Sequence, residues 1–200
     1  MTVYDLMAPV YGAWAAVTET RAHRRALAIL ERSPCSSLLE VAVGTGTESA
    51  RLTDDPRRKL CVGIDLSASM LKRARRASGR RALLCQADAR GLPFRDGSFD
   101  CLLSCYMIDL LPDNDIPIAL GEFHRVLRPG GLLVLVVMGL QAWALQRTWM
   151  MLFRRIPALV GGCRPVEAAA WLRASGWNLE TREHIVQSGF RSEILVARPS

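Results

Sequence analysis

The chain has 200 residues, 50% of them apolar and 22% charged, with 15 Gly and 10 Pro, which excludes a disordered tail, a collagen-like repeat or a coiled coil as the whole architecture. Its 26 Lys+Arg against 19 Asp+Glu give a formal charge of +7, yet Lys59 and Lys72 are its only lysines, so the excess reads as an arginine habit rather than a nucleic-acid patch. Cys35, Cys61, Cys85, Cys101, Cys105 and Cys163 form no CxxC pair, which argues against a zinc framework or a secreted disulfide scaffold. With no basic stretch leading into an apolar one at the N-terminus, the expected location is cytoplasmic.

In chain order, an aromatic segment holding Tyr4, Tyr11 and Trp14 leads into a helix over Thr18 to Arg32, with Ala22, Ala26, Leu27 and Leu30 at helical spacing. Short apolar runs at Ser37 to Val43, Leu60 to Ile64, Ala82 to Cys85 and Phe99 to Met107 read as buried parallel strands. Between them Ser67 reads as the cap of a helix carrying Met70, Leu71, Ala74 and Ala77. Pro117 opens a further helix running to about Leu127, and Leu132 to Val137 follows a Pro-Gly-Gly turn as a fifth strand rather than the start of a membrane span. A helix near Val166 to Ser175 and strands at Trp177 to His184 and Ser192 to Arg198 complete the pattern. Strand and helix in alternation predict an α/β fold: one doubly wound, mostly parallel, seven-stranded sheet in a single domain, 1–200.

The first strand ends in Gly44-Thr45-Gly46, where small residues let a ligand approach the backbone and the next helix aims its N-terminus. Asp65, nineteen residues beyond Gly46 at the end of the second strand, can accept the hydroxyls of a ribose. It reads alternatively as an acid at a helix N-terminus. Asp88 repeats that geometry on the third strand. His23, His124 and His184 lack metal-ligand spacing, so no metal site is expected.

Five ordered motifs resemble the class I S-adenosylmethionine-dependent methyltransferases: Glu40-x-Ala42-x-Gly44-x-Gly46, Val62-Gly63-Ile64-Asp65-Leu66-Ser67, Ala87-Asp88-Ala89, Leu92 through Asp100, and Arg125-Val126-Leu127-Arg128-Pro129-Gly130-Gly131. The resemblance is strong over roughly residues 35 to 140 and implies a Rossmann-like fold with S-adenosylmethionine as cofactor and S-adenosylhomocysteine as product. It would set the methionine part against Glu40, Ala42, Gly44 and Gly46, the ribose on Asp65, and the adenine beside Leu66 and Met70, with Asp88 and Ala89 at its amino group and Ser104 completing the set. Ala42 departs from the family pattern, which usually has glycine there. The nearest general likeness is to the small-molecule branch that includes ubiquinone and menaquinone biosynthesis methyltransferases and phospholipid N-methyltransferases.

That likeness implies a small, apolar or lipid-like acceptor, with Tyr4 and Tyr11 of an N-terminal helical cap (1–33) in its pocket and residues 139–165 inserted above it. Cys163, with Arg164 beside it, is a further substrate-side candidate. The Met138 to Phe153 stretch, with Trp143, Trp149, Met150 and Met151, reads either as a lid, as a peripheral membrane contact through Arg147, Arg154 and Arg155, or as an ordinary core helix. Tyr106 and Asp109 after the fourth strand are the catalytic candidates, able to orient an acceptor or take its proton; Asp109 reads equally as a cap. Other readings stay open: S-methylation of a small thiol, a nicotinamide-dependent oxidoreductase suggested by Gly44-x-Gly46-x-x-Ser49, and a non-catalytic nucleoside- or RNA-binding module using Lys72, Arg73, Arg75 and Arg76.

Overall fold

A computed structural model describes residues 19–79, 82–140, 151 and 163–200. The elements run α1 (Thr20–Glu31), β1 (Ser37–Val41), α2 (Thr47–Leu52), β2 (Leu60–Asp65), α3 (Ala68–Ser78), β3 (Leu83–Gln86), β4 (Phe99–Cys105), two short 3-10 turns (Ile108–Leu110 and Asp113–Asp115), α4 (Ile116–Val126), β5 (Leu127–Met138), α5 (Ala168–Ala174), β6 (Trp177–Gln187) and β7 (Phe190–Pro199). The strands form one seven-stranded sheet in the order β3-β2-β1-β4-β5-β7-β6. All neighbours are parallel except β7, which runs antiparallel to both β5 and β6.

Side-chain alternation along the central strands builds two cores. In β5, Leu133, Leu135 and Val137 face one layer with α4 and α5, while Leu132, Val134 and Val136 face the other, where Ala22, Ala26, Leu27 and Leu30 of α1 pack. Those four α1 residues are the ones whose helical spacing predicts a buried face. Cys101 and Cys105 lie together on the α1 side of β4, as their even spacing requires.

The strands on either side of the fold's crossover end earlier than their apolar runs. β1 stops at Val41 because Ala42 takes φ +62°, and β4 stops at Cys105 because Tyr106 takes φ +51°. Both turns lie at the carboxyl ends of neighbouring strands, where β2 and β4 flank β1. Strand order reverses there, and the chain leaving β1 and β4 diverges to open a crevice.

Two motifs are explained by one side chain. Arg125 donates to the backbone carbonyls of Leu92 (3.0 Å) and Phe94 (2.7 Å) and pairs with Glu122 and Asp96. It fastens the Leu92–Gly97 loop to α4. Among the described residues, no helix is long and apolar enough to cross a membrane.

Candidate active site

Two cavities meet at the crevice. The larger, about 530 Å³, is lined by Ile64, Asp65, Leu66 and Met70 on one side and by Ala87, Asp88, Ala89, Leu110 and Leu111 on another. The smaller, about 200 Å³, is the more polar of the two and is lined by Glu19, His23 and Arg24 of the α1 region, Glu40, and Thr45, Thr47, Glu48 and Arg51. Ala42, Gly44, Cys105 and Tyr106 line both and mark the seam between them.

Asp65 holds the larger cavity in shape. Its Oδ2 accepts the N–H of Gly44 at 2.9 Å and its Oδ1 accepts the N–H of Ser67 at 2.8 Å. Ser67 in turn caps α3 by accepting the N–H of Met70. Burial raises the Asp65 carboxyl above its ordinary value, while the N–H donors of Ser67, Gly44 and Leu66 pull it down. The carboxylate keeps acceptor capacity for a ligand hydroxyl. Leu66, 56% exposed at the rim, and buried Met70 supply the apolar faces that a planar base needs.

The two loop glycines do different work. Gly44, at φ +53°, has open space where a side chain would stand, so the ligand side of the loop is bare backbone. Gly46 lines neither cavity; a Cβ there would come within 2.5 Å of the Ala74 Cα, so its smallness lets the loop pass against α3. The helix after the loop, α2, has only six residues, and its dipole is correspondingly short.

Glu40 lines the smaller cavity and not the larger. Other sequence assignments shift. Asp88 faces the larger cavity, but its carboxylate is gripped by the Arg90 side chain, which also reaches Asp115, and the Arg90 hydrogen bonds keep it below its ordinary pKa. Ser104 is wholly buried on β4, paired in register with Val41 and Leu135, and belongs to neither lining. Cys163 is buried outside both cavities. Tyr4 and Tyr11 lie outside the described residues, as does the Met138 to Phe153 stretch apart from Met138, Gly139, Leu140 and Met151.

The two catalytic candidates are supports. The Asp109 side chain is wholly buried and accepts the N–H of Met138 at 2.6 Å, tying the turn after β4 to the end of β5; burial drives its pKa up to about 8. The Tyr106 hydroxyl is spent on Ser192 Oγ of β7 at 2.6 Å, and burial pushes its pKa far up. Its ring is what the site uses, as a wall common to both cavities. The Cys105 thiol at the seam is likewise raised, by burial and then by the charges of Glu48, Glu40, Glu19 and Asp109, so it is a poor nucleophile.

Sequence reasoning did not find His23. Nδ1 of His23 lies 2.6 Å from Glu48 Oε1, and the ring stacks on Tyr106 with centroids 5.4 Å apart. The available signal was a polar pair, Glu19 and His23, spaced i,i+4 alongside the buried stripe of α1.

An apolar cavity with a carboxylate at its hydroxyl-binding edge, opening onto a polar cavity with mixed charge, fits a nucleoside joined to a zwitterionic amino-acid tail. Bare backbone at Gly44 leaves the seam open for the linking atoms. Among the described residues, no cluster of His, Cys, Asp or Glu is arranged to hold a metal ion.

Comparison with known proteins agrees with that chemistry. Residues 39–135 match a family model described as a methyltransferase domain. A demethylmenaquinone methyltransferase of Parafrankia sp. is 32% identical over 177 residues, which span 78% of this chain and 67% of that protein. One of the same name from Thermus thermophilus is 38% identical over 122 residues, covering 59% of this chain and 54% of the relative, so the chain spans about half the length of some curated relatives it matches. Among solved structures, a SAM-dependent methyltransferase from Thermotoga maritima superposes with a TM-score of 0.75 at 19% identity, over 99% of this chain and 98% of that one.

Proposed function

Because the chain belongs to the S-adenosylmethionine-dependent methyltransferases, we propose that it moves the cofactor's methyl group to a small, apolar, ring-hydroxylated acceptor of the quinol class. The observation that carries this reading is the seam at Ala42, Gly44, Cys105 and Tyr106, where an apolar cavity and a polar one share their walls. In this assignment Asp65 takes the ribose hydroxyls, and Leu66 and Met70 hold the base, with Asp88 at its edge. Glu40 faces the amino-acid tail. Residues 1–33 and 139–165 cover the acceptor; α1, within the first of these, brings His23 to the smaller cavity.

The bound cofactor supplies a methyl already activated by a positive sulfur. The protein's task is then to align acceptor and methyl carbon and to exclude water, and such positioning is worth up to about 7–11 kcal/mol. The demethylmenaquinone activity named for relatives supports the acceptor class.

The test is transfer from methyl-labelled S-adenosylmethionine to a reduced naphthoquinone with an open ring carbon, followed by organic extraction. Label in the extracted diol supports the reading. Label that appears only in a small thiol, or only in macromolecules, contradicts it.

A further inference from the structure

We propose that His23 is the base that takes the acceptor's proton and that Glu48 is the positioning residue that fixes its tautomer. This rests on the methyl-transfer reading above. An ionised Glu48 can only accept, so His23 Nδ1 is the donor in their 2.6 Å bond, and in the neutral ring Nε2 keeps its lone pair. That Nε2 is shut from solvent, has no hydrogen-bond partner and lies 3.7 Å from Glu19 Oε2. A buried acceptor nitrogen left unpaired is costly. His23 lines the smaller cavity, and beside the cofactor's amino-acid tail there the partner this nitrogen lacks is an acceptor O–H.

The ring also has a fixed position. It stacks on Tyr106 at an interplanar angle of 22°, and Tyr106 forms the wall shared with the larger cavity. The Tyr106 hydroxyl, held by Ser192, pins that wall to β7. The imidazole is thus oriented by a carboxylate at one edge and an aromatic face below, as a positioned base requires.

Charge favours the proton's arrival. Glu19 and Arg24 face the cavity from the α1 region, Glu40 from β1, Glu48 and Arg51 from the α2 region, and Cys105 and Tyr106 from the end of β4. Burial acts to lower the His23 pKa, but the hydrogen bond and charge of Glu48, with the charge of Glu19, outweigh it, and the net shift is upward despite Arg51. Glu48 stays below its ordinary value for the reciprocal reason, although its burial acts the other way.

For a quinol, the hydroxyl proton moves to Nε2 and the electron pair it leaves is delocalised to the open ring carbon. That carbon bonds to the methyl, and the C–S bonding pair stays on sulfur as a neutral thioether. The methylated carbon then loses its hydrogen as a proton to solvent, while the imidazolium returns its proton to the oxygen. Net, one proton is released and no electrons enter or leave.

The experiment uses the full chain with labelled S-adenosylmethionine, a 1,4-naphthalenediol with an open ring carbon, whole-cell extract as a second acceptor source, and ¹⁵N-imidazole NMR of His23. His23→Gln is expected to lower kcat by at least about 100-fold, with cofactor affinity within about threefold, and to abolish the rise of kcat with pH. Glu48→Gln is expected to move that rise to lower pH together with the NMR pKa of His23, and it decides the matter if His23→Gln does not fold. Retention of kcat and of its pH dependence in His23→Gln, or a neutral His23 protonated at Nε2, overturns the assignment. If the wild type labels extract but not the diol, the acceptor class falls, and His23 is judged by the same variants on the labelled fraction. If the wild type labels nothing, the functional reading falls and the NMR tautomer decides His23.

Discussion

Asp65 Oδ2 accepts the backbone N–H of Gly44 at 2.9 Å, so the carboxylate at the end of β2 anchors the loop at the end of β1. The ribose and the loop therefore depend on one side chain. With its other oxygen on the Ser67 N–H, the group is matched on both sides, and an amide cannot replace it. Asp65→Asn turns an NH2 toward one of these donors and is expected to cost about 1.5–3 kcal/mol of stability, read by denaturant unfolding.

Ala42 occupies the left-handed region at φ +62°, which disfavours any residue with a Cβ. Ala42→Gly is expected to stabilise the protein by about 1 kcal/mol, a rise in Tm of about 2–4 °C by calorimetry.

Gly46 sits against α3 with no room for a methyl, and its φ is +80°. Gly46→Ala combines overpacking with left-handed strain and is expected to lose about 2–5 kcal/mol, measured by the same unfolding series. Gly44→Ala, with open space at that point, carries only the backbone cost.

Most of the fold was legible because two patterns dominate it. The unbroken apolar run Leu132–Val137 marks a strand covered on both faces, the 3.6-residue spacing of Ala22, Ala26, Leu27 and Leu30 marks one helix face, and both are buried as read. Strand ends were less legible, since Ala42 and Tyr106 carry ordinary strand-compatible side chains, and only tertiary context sets their positive φ. At the site, Asp65, Leu66, Met70 and Asp88 announce themselves by following strands. His23 does not, because it comes from a helix ahead of β1 and meets Glu48 only once α1 packs on the sheet. Tyr106 and Asp109 fall at the right place in the chain, yet Ser192 and the Met138 N–H, partners distant in sequence, claim their polar atoms.

Asp109 makes stability depend on pH. Its folded pKa of about 8 stands above the ordinary 3.8, so the stability it contributes is fully present below about pH 4 and is lost as pH rises toward and through 8. Asp109→Asn keeps an oxygen for the Met138 N–H without the charge. Its Tm is expected to fall less than that of the wild type between pH 5 and 8, in the same buffers, by calorimetry.

Tyr106→Phe keeps the ring on His23 and leaves Ser192 Oγ without its Tyr106 partner, for an expected loss of about 1–3 kcal/mol on thermal or chemical unfolding. The pH at which methyl transfer is half-maximal is expected to stay in place, because burial holds the phenol far above its ordinary value. A displaced profile would restore Tyr106 as an acid–base group.

The central claim is that the cavity edged by Asp65 receives the ribose of the cofactor, and it is tested most directly by comparing S-adenosylhomocysteine with its 2′-deoxy analogue in calorimetric titrations of the wild type and Asp65→Asn. A charged hydrogen bond of about 1.5–3 kcal/mol predicts at least about tenfold tighter binding of the ribose form by the wild type, with the preference lost in Asp65→Asn. Equal affinity of the wild type for the two ligands, or an undiminished preference in Asp65→Asn, would contradict it.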